Sequence, residues 1–293
     1  MARRSKLPMR LAWAVLAALP AATLAGPAAA GAAATVYRSP PGSFSREPTT
    51  APPGELRVCA DPNNMPFSNR KRQGFENKLA EIIAKGLHDK LSYYWRPQRR
   101  GFVRMTLYAG KCDVIMGTTA SDMLATTRPY YTSTYVFVSR KDSDLTFSSL
   151  SAPELHHLKI GVQLIGDDGS NTPPAYVLGK ENIVDNVVGY SVVGDYSQPS
   201  PPSAIVKAVE RGDIDIAAVW GPLAGYFAKK SPVPLRLTPI SDTAQYLPLI
   251  FRYPISIGVR QLDVPLRDRI DEVLFAKRDE IRKLLDSYGV PQL

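Results

Sequence analysis

The alternation of strand and helix between residues 55 and 138 constrains this chain more than any other feature. LRVCAD reads as a strand and PNNMPFSN as a turn. GFENKLAEIIAKGL then carries Phe75, Leu79, Ile82, Ile83 and Leu87 on one stripe, the spacing of a helix laid on a sheet, with Gly86 weakening its end. LSYYW predicts a second strand, GFVRMTLYAG a short helix ending in Gly110, and CDVIMG a continuously apolar and therefore buried strand. This β-α-β-α-β order predicts a parallel sheet covered by helices, whose ligand contacts come from the turns after the strands.

The remainder repeats the alternation. YYTSTYVFVSRKD reads as a long strand whose polar end, Ser139 to Ser143, marks a first crossing into a second lobe. There LKIGVQ, NVVGYSVV and IDIAAVW are strands, and TPPAYVLGK and PPSAIVKAVERG are helices with proline at their start. PLIFRYPISIGVR is a return strand, and Pro265 to Tyr288 a closing helix stopped by Gly289 and Pro291. The expected fold is α/β: two lobes joined by a two-crossing hinge with a cleft between them. Residues 55–140 form the first part of lobe 1, residues 141–247 lobe 2, and residues 248–293 the return to lobe 1. Each lobe, at about 100 to 140 residues, is large enough for its own core.

The N-terminus predicts the compartment. MARRSKLPMR supplies four basic residues and no acid, an apolar stretch broken by Pro20 follows, and A-x-A sites end at Ala30 and Ala34. Residues 1–34 therefore read as a cleaved signal peptide for the periplasm, and residues 35–54, rich in Pro, Ser and Thr, as a tether. No segment offers the roughly 20 uninterrupted apolar residues of a membrane span, so no integral membrane segment is expected in the mature protein. Loss of the leader leaves 32 basic residues against 27 acidic, a net charge of +5 in place of +9. That mild balance, in an exported chain, argues against nucleic acid and suits an acidic partner or an anionic small ligand.

Cys59 and Cys112 leave two readings open. An even count in an oxidising compartment favours a disulfide, which in the loop-entropy model contributes about 4 kcal/mol. Against it, Cys59 sits deep in the first strand and Cys112 at the start of a later one, and simple parallel alignment offsets them beyond bonding distance. A buried thiol pair is the alternative. His88, His156 and His157 read as solvated: an adjacent pair on an extended backbone points opposite ways and would need further ligands to hold a metal. The chain contains no G-x-S-x-G, H-E-x-x-H, Walker or G-x-G-x-x-G sequence, so neither an enzyme nor a bound cofactor or metal is expected.

The candidate binding residues fall in three groups. Asp61, Asn63, Asn64 and Phe67 lie in the turn after the first strand, where Asx residues also simply build turns and an aromatic can stack on a ligand. Trp95, Gln98, Arg99 and Arg100, with Arg96, Phe102 and Arg104, form the densest charged and aromatic patch. Arginine forks hold carboxylates and tryptophan adds broad apolar area, so the patch suits an anion or a protein partner, and otherwise a solvated loop. Thr118, Thr119, Arg128, Tyr130 and Trp220 complete the set from the segments after the third strand and at the end of IDIAAVW. GDDGSNTPP precedes a helix whose free amides could hold an anion, but Asp167 and Asp168 oppose that use and Asn171 or Thr172 reads as a cap.

GKCDVIMGTTASDMLATTRPYY resembles the signature region of family 3 solute-binding proteins, type II periplasmic binding proteins. In the amino-acid binders of that family an arginine grips the ligand α-carboxylate and an aspartate its ammonium. Here Leu124 and Trp220 stand at those positions, and Arg128 sits against the P-Y-Y strand. The resemblance therefore implies that a free amino acid is not the ligand. LRVCADPNNMPFSN, GFEN, YYWRPQRRGFVR, GKCDVIMG, ATTRPYYTSTYVFV, IGVQLIGDDGSNTPP and DIAAVWGPLAGYFA together look like the quinoprotein-dehydrogenase-associated substrate-binding proteins, the XoxJ/MxaJ type encoded with periplasmic methanol dehydrogenases.

That resemblance runs from Leu56 nearly to the C-terminus. It implies a non-enzymatic accessory part in methanol oxidation: contact with, or assistance to, a pyrroloquinoline quinone (PQQ)-dependent methanol dehydrogenase and its cytochrome c, with the lanthanide-linked subtype favoured. A small anionic or aromatic ligand fits the same expectation. Two alternatives stand beside it. One is the ligand-capture component of an ABC importer for a small organic solute, and the other a dehydratase of the same fold, which lacks a clear acid or base in a cleft motif.

Overall fold

Strand β1 (Glu55–Ala60) buries Leu56 and Val58 on one side and Cys59 on the other, and everything that shapes the cleft in lobe 1 hangs from its C-terminal end. The computed structural model describes residues 53–166 and 171–293. The signal peptide, nearly all of the tether, and Asp167 and Asp168 lie outside the described residues. After β1 the chain makes a small hairpin of two-residue strands, β2 (Asn63–Asn64) with β3 (Ser68–Asn69), and enters helix α1 (Phe75–Leu87). Phe75, Leu79 and Ile83 are fully buried on its inner face, as the stripe predicts. Gly86 does not end α1 early: a β-carbon there would collide with the Val273 methyls, so the glycine permits close packing on the C-terminal helices.

Strand β4 (Lys90–Trp95) runs parallel to β1, in register from Glu55 opposite Lys90 to Ala60 opposite Trp95. Helix α2 (Phe102–Met105) is a single turn and does not reach Gly110. Thr106 leaves helical geometry and its hydroxyl donates to the Phe102 carbonyl at 2.7 Å, which closes the turn. Strand β5 (Val114–Thr118) joins β1 on its other side, parallel, and a short strand β6 (Leu124–Thr126) follows.

Strand β7 (Tyr131–Arg140) is the first crossing. Its start, Tyr131 to Thr134, pairs with the return strand, whereas Tyr135 to Arg140 pairs with strands of lobe 2. The change of partner falls at Thr134–Tyr135, ahead of the polar stretch Ser139 to Ser143, because the strand keeps its apolar side chains on the lobe 2 sheet through Val138. Lobe 2 contains β8 (Ile160–Leu164), α3 (Pro173–Lys180), β9 (Val187–Ser191), α4 (Ala204–Arg211), β10 (Ile216–Trp220), α5 (Gly221–Lys230) and β11 (Leu235–Pro239). Helix α5 is an element the sequence reading did not isolate: Gly221-Pro222 resembles a turn, yet proline in the first turn is compatible with a helix start.

Strand β12 (Arg252–Arg260) returns to lobe 1, antiparallel to β5, β6 and the start of β7. The main strand order is β4-β1-β5-β12-β7-β10-β8-β9, with β7 and β12 the two crossings. The closing segment is two helices, α6 (Val264–Ala276) and α7 (Arg278–Ser287). The break at Lys277 precedes Asp279 and Glu280, whose carboxylates favour the positive start of a new helix.

The cysteines form a disulfide with their α-carbons 5.4 Å apart. Cys112 is not part of β5 but lies in the loop beneath the sheet, on the face to which Cys59 points, so an in-strand offset does not separate them. Phe102, Leu107, Ile115 and Leu124 enclose the bond. Buried Arg260 braces the same loop, donating to the carbonyls of Leu107 and Cys112 and to Asp113, which Arg57 also holds.

Candidate functional site: the cleft cavity

The C-terminal ends of β1, β5, β8 and β10 converge on a cavity of about 430 Å³ between the lobes. Lobe 1 supplies Asp61, Asn64, Phe67, Glu76, Gln98, Gly117, Thr119 and the crossing residues Tyr131, Tyr135, Tyr253 and Ile255. Lobe 2 supplies Gln163, Ile165, Thr172, Val192, Val193, Tyr196, Pro202, Trp220 and Leu223. Its walls are aromatic. Tyr135, Trp220 and Tyr253 pack edge to face at 5.4 to 6.4 Å between ring centroids, and Phe67 meets Phe75 at 5.4 Å.

The buried carboxylate of Asp61 is fully engaged. Its Oδ1 accepts from the Asn63 amide at 2.8 Å, and its Oδ2 from the Gln98 amide at 2.6 Å and from the Tyr196 hydroxyl. Burial, and then the bond to Asp61, raise the Tyr196 phenol above its ordinary pKa. Asn63 does not line the cavity: its Nδ2 donates to the Gln198 carbonyl at 2.9 Å and its Oδ1 accepts from the Ser200 amide at 3.1 Å. Two residues of the turn after β1 thus tie lobe 1 to the 196–200 loop of lobe 2.

Glu76 differs from Asp61. It stands at the start of α1 facing the cavity, and its carboxyl has no hydrogen-bond partner among the described residues. Its Oε1 lies against Gly117 near the end of β5, where a β-carbon would push the carboxyl out of its present position. Burial, with a smaller contribution from the Asp61 charge, pushes Glu76 up to about 8. Among the described residues, no lysine, arginine or histidine lines the cavity.

Of the residues singled out in sequence, Asp61, Asn64, Phe67, Gln98, Thr119 and Trp220 meet at this cavity. Trp220 also donates its amide to Gln163 Oε1 at 2.9 Å. Trp95 instead stacks on Tyr93 at 4.7 Å, with Arg70 above it. Arg99 and Arg100 are exposed beside the cleft, the Arg99 guanidinium 5.3 Å from the Tyr196 ring centre. Thr118 turns its hydroxyl to the Thr119 carbonyl. Arg128 and Tyr130 line a second groove of about 500 Å³ on the outer face of lobe 1 with Asp271, Phe275 and Arg278, and not the cleft. They lie there because Pro129 starts the crossing on that face: the Arg128 amide donates to Asp271 and the Tyr130 hydroxyl to the Met116 carbonyl. Leu124 lies under the disulfide, away from the cavity. Sequence reasoning passed over Glu76, Tyr131, Tyr135, Gln163, Tyr196 and Tyr253. The available signal for Glu76 was the GFEN helix start, which an acid at a helix N-terminus explains without a ligand.

Residues 56–290 match the bacterial extracellular solute-binding proteins, family 3. The chain is 30% identical over 250 residues to Protein MoxJ of Methylorubrum extorquens, covering 82% of each chain. It is similar to the crystal structure of the periplasmic binding protein XoxJ from Methylobacterium extorquens AM1, with 36% identity and a TM-score of 0.67 over 81% of this chain and 99% of that one. Against MxaJ from Methlophaga aminisulfidivorans MPT the values are 28% and 0.70, over 81% and 100%.

Proposed function

This chain belongs to the bacterial extracellular solute-binding proteins, family 3, and we propose that it is a periplasmic accessory protein of a PQQ-dependent methanol dehydrogenase, one that binds the enzyme or helps to activate it. The observation that carries this is similarity to MoxJ, XoxJ and MxaJ along both lobes, together with the motifs shared with the quinoprotein-dehydrogenase-associated proteins. The cleft supports a departure from amino-acid capture: Trp220 fills the place of the ammonium anchor, and no basic side chain among the described residues lines the cavity to hold a carboxylate. Arg99 and Arg100, exposed at the cleft edge, suit the acidic surface of a protein partner, with the cytochrome c of the same system a further candidate. The protein acts by binding and not by turnover.

Purifying the dehydrogenase from its native periplasm tests this. The chain should co-purify with it at low salt and separate as salt rises. A periplasm in which it never accompanies the enzyme, and in which a permease captures it, would favour the ABC importer, a reading that the cavity between the lobes also supports.

A further inference from the structure

The cavity described above is walled mainly by aromatic and apolar groups, with Asn64, Gln98, Thr119, Gln163 and Thr172 among them, and it holds two carboxyls that are not equivalent. Asp61 is satisfied by three donors and holds the turn. Glu76 is satisfied by none among the described residues, faces open space, and rests its carboxyl against Gly117, which has no side chain to displace it. A partly buried carboxyl without a donor is costly unless it is protonated or a cation meets it. The walls opposite are Tyr131, Tyr135, Trp220 and Tyr253, whose ring faces attract positive charge and shed anions. No basic residue among those described lines the space.

We propose that the cleft takes a small organic cation without a carboxylate, a protonated amine or quaternary ammonium on a flat apolar body, with its charge at Glu76 and its body against these aromatic walls. This reading departs from the expectation of a small anionic ligand drawn from net charge, because no basic side chain among the described residues lines the cavity. The inference concerns the cleft alone and does not rest on association with a dehydrogenase. Because an empty cavity keeps the Glu76 proton at neutral pH, uptake of the cation transfers that proton from the carboxyl to buffer. The titratable groups around it are Asp61 from the turn after β1, Tyr93 from β4, Tyr130 just ahead of β7 and Tyr131 at its start. All three phenols are raised by burial and stay neutral through this change.

Calorimetry with benzylammonium, benzyl alcohol and benzoate, three probes of like shape and charges of plus one, zero and minus one, tests this at up to about 10 mM ligand. Benzylammonium should bind tightest and benzoate least, with heats in buffers of different ionisation enthalpy revealing up to one proton released per cation bound. Glu76→Gln should weaken benzylammonium roughly ten- to hundredfold and leave benzyl alcohol unchanged. Trp220→Leu should weaken both and serves as the second variant should Glu76→Gln not fold. Benzoate binding as well as the amine, no saturable binding of any probe to the wild type, or a Glu76→Gln variant that folds and binds the amine normally would each overturn the proposal.

Discussion

The hydroxyl of Tyr196 donates to Oδ2 of Asp61, joining the loop after β9 to the turn after β1 across the cleft. Asn63 adds two bonds to the same loop, so closure is held by a handful of polar contacts outside the cavity floor. Replacing Tyr196 with Phe and Asn63 with Ala removes them while keeping the ring in place. The double variant should populate a more open form, with a larger radius of gyration in small-angle scattering and unchanged circular dichroism. Superimposable scattering curves would mean that the apolar walls alone keep the lobes together.

Glu76 makes stability depend on pH. Its folded value of about 8 stands above the roughly 4.3 of an unfolded glutamate, so the native state holds the proton more tightly. The sign follows: this contribution is intact below about pH 4 and is lost as pH rises to about 8, by a few kcal/mol at most. Urea midpoints at pH 5 and pH 8.5 should therefore differ more for the wild type than for Glu76→Gln. An identical decline in both would assign the titration to another group.

The bond between Cys59 and Cys112 closes a long loop, and its loss should cost about 2 to 4 kcal/mol. In a protein of this size that lowers the melting temperature by roughly 5 to 15 °C in the Cys59→Ser, Cys112→Ser variant. Thiol titration of the denatured, unreduced protein exported to the periplasm should find no free thiol. Two reactive thiols would contradict the bond.

Free amino acids should not stabilise the protein. Their α-carboxylate would enter a cavity that offers it two acids and, among the described residues, no basic side chain, a mismatch costing several kcal/mol. Thermal-shift measurements across the twenty amino acids check this, and micromolar binding of any of them would refute it.

The fold was legible in the sequence wherever periodicity and punctuation agreed. The stripe of α1 placed Phe75, Leu79 and Ile83 in the core, and Pro173 marked the start of α3, whereas Pro201 and Pro202 form a short 3-10 turn ahead of α4. Where tertiary contacts decide, sequence fell short. Gly86 looks like a helix breaker until Val273 is seen against it. Cys112 looks offset from Cys59 until its loop is seen passing under the sheet. The turn after β1 announced Asp61 and Phe67, because strand ends carry sites in this architecture. Glu76, Tyr135 and Tyr253 come from a helix start and two crossing strands, and only the closure of two lobes brings them together. Arg128 and Tyr130 share a motif with cavity residues but line the outer groove of lobe 1, where the Arg128 amide is held by Asp271 and the Tyr130 hydroxyl turns inward to the Met116 carbonyl.

The most direct test of the proposed accessory role is the affinity of the purified chain for a PQQ-dependent methanol dehydrogenase from the same organism, measured by interferometry from about 50 to 300 mM salt for the wild type and for Arg99→Ala, Arg100→Ala. The wild type should associate and weaken as salt rises, and the double variant should lose about 1 to 3 kcal/mol of binding with its melting temperature nearly unchanged. Absence of any association at low salt would contradict the role itself, and normal binding by the double variant would move the contact away from the cleft-edge arginines.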